Sequence, residues 1–277
     1  MPDLLRLYPD YANRALDGAY LAHGLRERGS SEAPFVYTNF ISSLDGRIAQ
    51  RDPDSGRYGV PRPIANNLDW RMFLELAAQA DAVVTSGRRL RELAARARNL
   101  RCVPDLAGAD YAAWRRARDL PPFPACIILS ATLDLPFDAM RRLEHDELVI
   151  LTTARPTTEQ RAALDAAGVS YVHVANPRVR GTDVRDVARR RGYRTLYSIG
   201  GPKVFHTLAA DGVLHRLYIT LSHRLLAGED YHTLLAGPSL QPPVTLTLHE
   251  LNLITATGDA PQMLLASYDI ATSAMQG

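Results

Sequence analysis

Short apolar runs recur along the chain, and most are followed by a stretch whose apolar residues return every three or four positions. Strand side chains alternate between two faces and helix side chains return to one face, so the two patterns separate the elements. "PFVYTNFISSLDGRIA" predicts a strand over about 35–41, a turn at Asp45-Gly46 and a short continuation. "IANNLDWRMFLELAAQA" carries Leu68, Met72, Phe73, Leu76 and Ala80 at helical spacing, and "DAVVTSG" after it reads as a short buried strand. "RRLRELAARAR" is helical in pattern. "ACIILSATLDLP" and "ELVILTT" hold continuous apolar runs, as in strands covered on both faces. "TTEQRAALDAAG" has a Thr start and a Gly stop, which predicts a helix. "VSYVHVA" then predicts a strand, "GTDVRDVARRRG" a helix, "TLYSIGG" a strand and "PKVFHTLAADG" a helix. Three longer β-like runs close the chain: "HRLYITLSHRLLAG", "VTLTLHELNLITATG" and "QMLLASYDIA".

Strands alternating with helices predict an α/β fold with helices on both faces of the sheet, and the closing runs predict antiparallel strands appended to it. Residues 1–33 show no clear period and are expected to be an N-terminal extension packed on one domain spanning 34–277, since no linker or internal repeat interrupts the rest.

Composition narrows the function classes. Apolar residues make up 46% and charged residues 22% of the 277, an ordinary globular balance. A net charge of +2 is too small to argue for nucleic acid. No run approaches a membrane span and the N-terminus lacks a secretory pattern, so a cytoplasmic protein with a small-molecule substrate is expected, without nucleic acid or membrane. Cys102 and Cys126 are not closely spaced, which argues against a disulfide framework and a Cys-rich zinc site. The eight histidines lack ligand spacing, so no metal is expected.

Three motifs could carry chemistry. Gly200-Gly201-Pro202 lies between a strand and a helix. Glycines let a backbone approach a ligand, proline suits a first helical turn, and the free amides there attract anions. A tight turn is the other reading. Ser42-Ser43-Leu44-Asp45 follows a strand end, where α/β proteins bind ligands, although an Asp in a turn also caps backbone. Ser86-Gly87 follows another strand, and Arg88, Arg89 and Arg91 open the next helix, either as anion ligands or as a solvated face.

In their order along the chain, these motifs resemble the riboflavin-biosynthesis reductase family, the reductase part of the bifunctional deaminase-reductase, over roughly residues 34–270. The resemblance implies a dihydrofolate reductase-like mixed sheet flanked by helices, NADPH as hydride donor, and a homodimer. It implies cofactor contacts at Ser86, Gly87, Arg88, Arg89, Ser130, Gly200, Gly201, Pro202, Lys203 and Val204. On the substrate side it implies Asn39, Ser43 and Asp45, with Asp45 orienting the substrate or relaying a proton. The substrate would be a phosphoribosylamino-pyrimidine or a related heterocycle. Several positions depart from the family pattern. Ile199 stands where the family has Glu. Arg89 or Leu90 replaces a Thr of the phosphate loop, and Leu93 an Asp. Asn67-Leu68 replaces a substrate-side Arg, for which Arg62 is the candidate substitute. The zinc-deaminase motif of the bifunctional protein does not occur. Losing Glu to Ile removes an acceptor, which would cost a polar substrate group about 1–3 kcal/mol. Two alternatives therefore stand beside the first reading. One is a dihydrofolate- or pteridine-type reductase, favoured by Ile199-Gly200-Gly201 but opposed by the lack of an early Trp-bearing loop and of an acidic residue at the expected place on the first helix. The other is a dinucleotide-binding module without catalysis.

Overall fold

Strand β3 (Phe35–Ser43) organises the molecule, because its side chains are buried on both faces. The computed structural model describes residues 3–96, 99–255 and 262–271. Around β3 lie β10 (Thr195–Ser198), β6 (Ala82–Ser86), β7 (Ala125–Ser130), β8 (Leu148–Thr152) and β9 (Ser170–His173), all mutually parallel. On the other side β11 (Arg216–Ser222) is parallel to β3, and β14 (Met263–Ile270) and β13 (Leu246–Ile254) follow antiparallel. The 11-stranded sheet runs β2-β1-β13-β14-β11-β3-β10-β6-β7-β8-β9, where β1 is Asp3–Tyr8 and β2 is Ala12–Ala15. The direction of the sheet thus changes between β11 and β14.

Alternation along the strands divides the core. Tyr37, Val83, Ile128, Ile150 and Tyr197 face α1 (Asn67–Ala78), α2 (Gly87–Arg96), α3 (Ala109–Arg116), α4 (Phe137–Arg142) and α5 (Thr158–Ala166). Val36, Val84, Ile127, Val149 and Leu196 face α6 (Gly181–Arg191) and α7 (Pro202–Ala210). Local chemistry sets several helix ends. The Asn66 side chain accepts the Leu68 and Asp69 amides at the start of α1, Thr157 and Gln160 form a reciprocal capping box on α5, and Gly192 ends α6 at a φ of 72°.

Three sequence expectations change. Residues 1–33 hold two strands, and β1 pairs with β13 as part of the main sheet. The segment after them is fastened to α1 by side chain-to-backbone bonds that no periodicity reveals. Glu75 accepts the Gly18 and Tyr20 amides at 2.7 and 2.8 Å, and Gln79 accepts Leu25 N at 2.9 Å while donating to Tyr20 O. We expect Glu75→Ala to destabilise the protein by about 2–4 kcal/mol, since it strands buried amides, and to open residues 17–30 to protease. Equilibrium unfolding and limited proteolysis would measure both. Second, "HRLYITLSHRLLAG" is a strand only to Ser222, beyond which the chain leaves the sheet. Third, Cys102 and Cys126 form a disulfide, with Cα atoms 6.7 Å apart. Their spacing in sequence was uninformative because the chain returns after α2 to the base of β7. No helix among the described residues is long and apolar enough to cross a membrane.

Candidate active site

Parallel strands deliver their C-terminal ends to one edge, so Ser43, Ser86, Ser130 and Ser198 end β3, β6, β7 and β10 on the same side of the sheet. The chain leaves β10 for α7 on one face and leaves β6 for α2 on the other. Adjacent strands whose helices diverge leave a crevice between them, the place where open α/β sheets take ligands. A cleft of about 350 Å³ opens there, walled by Asn39, Phe40 and Ile41 of β3, Asp69, Trp70 and Phe73 of α1, Arg88 and Arg89 of α2, and Ile199–Pro202. Its outer wall is a small sheet of β4 (Ala49–Arg51), β5 (Tyr58–Gly59) and β12 (Tyr231–His232), which contributes Ala49, Tyr58, Gly59 and His232. A second lobe of about 400 Å³ adjoins it, lined by Ser86, Arg88, Gly201–Val204, His232 and Ala236.

The Gly-Gly-Pro turn is built for close approach, and each glycine has its own reason. A Cβ on Gly200 would lie 2.5 Å from Val204 Cβ, so this glycine lets α7 start immediately after β10. A Cβ on Gly201 would meet nothing within 4 Å, because that position faces the open cleft. Neither glycine amide has a backbone acceptor among the described residues, and Pro202 opens α7. Free amides at a helix N-terminus, with Lys203 and Arg88 beside them, fit a phosphate group.

The apolar lobe contains one carboxylate, Asp69. It sits in the first turn of α1, behind the Asn66 cap, beside Trp70 and Phe73, whose rings stack 4.7 Å apart. Its Oδ1 is buried and has no hydrogen-bond partner among the described residues. Burial pushes its carboxyl up to about 6, with the Thr220 hydroxyl of β11 pulling the other way. This residue was missed in the sequence, where Asn66-x-x-Asp69 reads only as a helix start. It puts an acidic group of the first helix on the cleft wall.

The other sequence candidates divide. Asn39 lines the cleft, held by a short contact with Tyr197 Oη, and Ile199, Arg88, Arg89, Gly200, Gly201 and Pro202 line it too. Ser86, Lys203 and Val204 line the second lobe. Gly87 packs on Ser130, a Cβ there lying 3.2 Å from Ser130 Oγ, and neither residue is on the walls of these two lobes. Arg62 lies in a neighbouring surface cleft with Arg57 and Arg96.

Asp45 and Ser43 are not on the cleft walls either. The Asp45 carboxylate accepts from Ser43 Oγ, from Ala227 N at 2.8 Å and Leu226 N at 3.1 Å, and pairs with Arg47 at 2.9 Å. The Ser43 hydroxyl first, then the amides and Arg47, hold the group down to about 2. A carboxylate so engaged ties the loop after β11 to the turn after β3. These bonds give the carboxylate a loop-tying role and engage the oxygens that were expected to orient the substrate or relay a proton. Its tie is present above the usual Asp range and is lost as pH falls through about 2. Asp45→Asn should raise hydrogen exchange at the Leu226 and Ala227 amides while leaving the core strands protected. Unchanged exchange at those two amides would contradict this role.

With this geometry the chain is an α/β protein whose crevice combines the free amides of a Gly-Gly-Pro helix start with an apolar, carboxylate-bearing pocket. The profile of the RibD C-terminal domain family matches residues 34–258, and the chain belongs to this family of riboflavin-biosynthesis reductases. Solved structures agree in fold. A pyrimidine reductase-like protein from Corynebacterium diphtheriae superposes with a TM-score of 0.61 at 17% identity, over 87% of this chain and 93% of that one. RibD from Acinetobacter baumannii gives 0.58 at 16% identity, covering 87% of this chain and 58% of RibD. The riboflavin biosynthesis reductase of Saccharomyces cerevisiae gives 0.55 at 16% identity, over 92% and 99%.

Proposed function

We propose that the chain is an NADPH-dependent reductase acting on a phosphoribosylamino-pyrimidine or a closely related heterocycle. The observation that carries this reading is the placement of Asp69 in an apolar lobe that opens onto the anion seat of Gly200, Gly201 and α7. When bound, the nicotinamide supplies the hydride. The chain's residues do the rest. Gly200, Gly201, Lys203 and Arg88 hold phosphate, Trp70 and Phe73 give the heterocycle a flat apolar wall, and Asn39 offers it a hydrogen-bonding amide. Reduction of a C=N or C=O bond adds hydride to carbon and a proton to the heteroatom. Among the described residues Asp69 is the only carboxyl on the cleft walls, and its raised pKa suits it to give that proton and regain it from solvent. Accordingly, kcat/KM should fall as pH rises through about 6.

Ile199, together with Asp69 on the first helix, favours dihydrofolate-type reduction as the second reading. Purified protein with NADPH should consume it when given the deaminated riboflavin intermediate and not when given dihydrofolate. The reverse pattern would replace the first reading by the second. NADPH binding without turnover of either would support a module that binds the cofactor alone.

A further inference from the structure

We propose that His232 is a proton-coupled part of the anion seat: its imidazolium, held in place, faces the nucleotide phosphate, so that binding the nucleotide takes up a proton. The inference rests on the nicotinamide reading above and assigns a role to a residue outside every sequence motif.

Geometry carries the argument. His232 belongs to β12, which pairs with β4 through Tyr231↔Gln50 and His232↔Ala49, and its carbonyl accepts Ile48 N at 3.0 Å. Its ring stacks on Tyr58 with centroids 4.1 Å apart. Backbone and ring are thus both fixed, and the side chain lines both lobes of the cleft. Other histidines spend ring nitrogens on the protein: His206 on Pro238 O at 2.7 Å, His145 on Ala167 O at 3.1 Å, His23 on Tyr218 Oη at 2.8 Å. The His232 ring has no such partner among the described residues, and it faces the lobe at the start of α7.

The surrounding charges fit an anion. Lys203 comes from α7 and forms no ion pair among the described residues, while Arg88 comes from α2 and lies 3.5 Å from Glu92. Arg89 of α2 lines the adjoining lobe, with Asp69 of α1 as its only carboxylate among the described residues and Tyr58 of β5 beside the ring. Next to β12, Asp230 is 3.9 Å from Arg51, and Arg47 lies over the Tyr231 ring, while Glu229 precedes them in the loop. Among the described residues no acidic side chain lines the lobe that Arg88, Lys203 and His232 share. Burial first, then Arg88 and Lys203, lowers the His232 pKa below the usual histidine value. A bound phosphate reverses the electrostatic part of that effect, and linkage requires the converse: protonated His232 binds phosphate more tightly. The coupling is present below the free-state pKa and is lost as pH rises through the bound-state pKa.

The test is a titration of the histidine Cε1 resonances, with the His232 signal assigned by its loss in His232→Gln, in the free protein and with NADPH or NADH. The His232 pKa should rise by about one unit on binding, and nucleotide Kd should weaken about tenfold from low to high pH across that window. His232→Gln should flatten this dependence. A rise with both nucleotides places the pyrophosphate at His232, and a rise with NADPH alone places the 2′-phosphate there. Nucleotide binding with an unmoved His232 resonance overturns this inference and leaves the reductase reading intact. Failure of both nucleotides to bind overturns the two together. If His232→Gln does not fold, through-bond assignment of the histidine signals in the unaltered protein identifies His232 instead, and the same titration decides the matter.

Discussion

Asp69→Asn is expected to lower kcat/KM by at least about a hundredfold while leaving NADPH affinity within about twofold. The substitution keeps the volume and the contact with Thr220 but removes the proton that Asp69 supplies. Nucleotide binding should persist, because Asp69 is absent from the second lobe, where Arg88, Gly201 and Lys203 lie. The same change should stabilise the fold. A carboxyl held up to about 6 in the folded protein is a burden above its unfolded pKa, and that burden eases as pH falls from about 6 towards about 4. Replacing it should therefore raise stability at neutral pH by about 1–3 kcal/mol, with no gain in acid. An inactive variant that is also more stable is the signature of a strained catalytic group, whereas loss of both activity and stability would mark Asp69 as a structural residue. Steady-state kinetics, nucleotide titration and denaturant unfolding at two pH values measure the three quantities.

The adjoining glycines should separate fold from binding. Gly200→Ala brings a methyl group within 2.5–2.7 Å of the Val204 side chain, so α7 must shift. Overpacking of this kind costs about 1–3 kcal/mol, and the phosphate seat moves with the helix. The Cβ of Gly201→Val meets nothing within 4 Å in the protein alone, and the backbone there is extended, at a φ of −73° and a ψ of −171°. This variant should unfold as the parent does yet bind NADPH at least about tenfold more weakly, because its side chain occupies the path of the ligand to the amides. Thermal unfolding with and without NADPH reads both effects. Equal binding by Gly201→Val and the parent would remove the phosphate from this turn.

The strand and helix pattern was legible because most elements are covered, so burial imprinted its period on them: β7 and β8 as apolar runs, α1 and α7 as amphipathic stripes. The turn from β10 into α7 was legible for a related reason, since a helix that starts so close to a strand leaves no room for a Cβ at Gly200 and takes Pro202 in its first turn. What remained hidden depends on contacts remote in sequence. Glu75 and Gln79 hold the segment near residue 20, Asp45 is occupied by the loop at 226–227, and Cys126 meets Cys102 through a crossover. Asp69 shows the limit most clearly. An acidic residue in a first helical turn is ordinary capping chemistry, and only the placement of β11 and the Trp70-Phe73 wall turns it into a buried, reactive carboxyl.

The central claim is that this chain moves a hydride from a nicotinamide to a bound heterocycle. Incubation with NADPH deuterated at the transferable position, followed by mass spectrometry of the product, tests it directly. One deuterium should appear per molecule of reduced product, and Asp69→Asn should form that product at least about a hundredfold more slowly. Bound NADPH with no deuterium in the product of either the pyrimidine or dihydrofolate would contradict it.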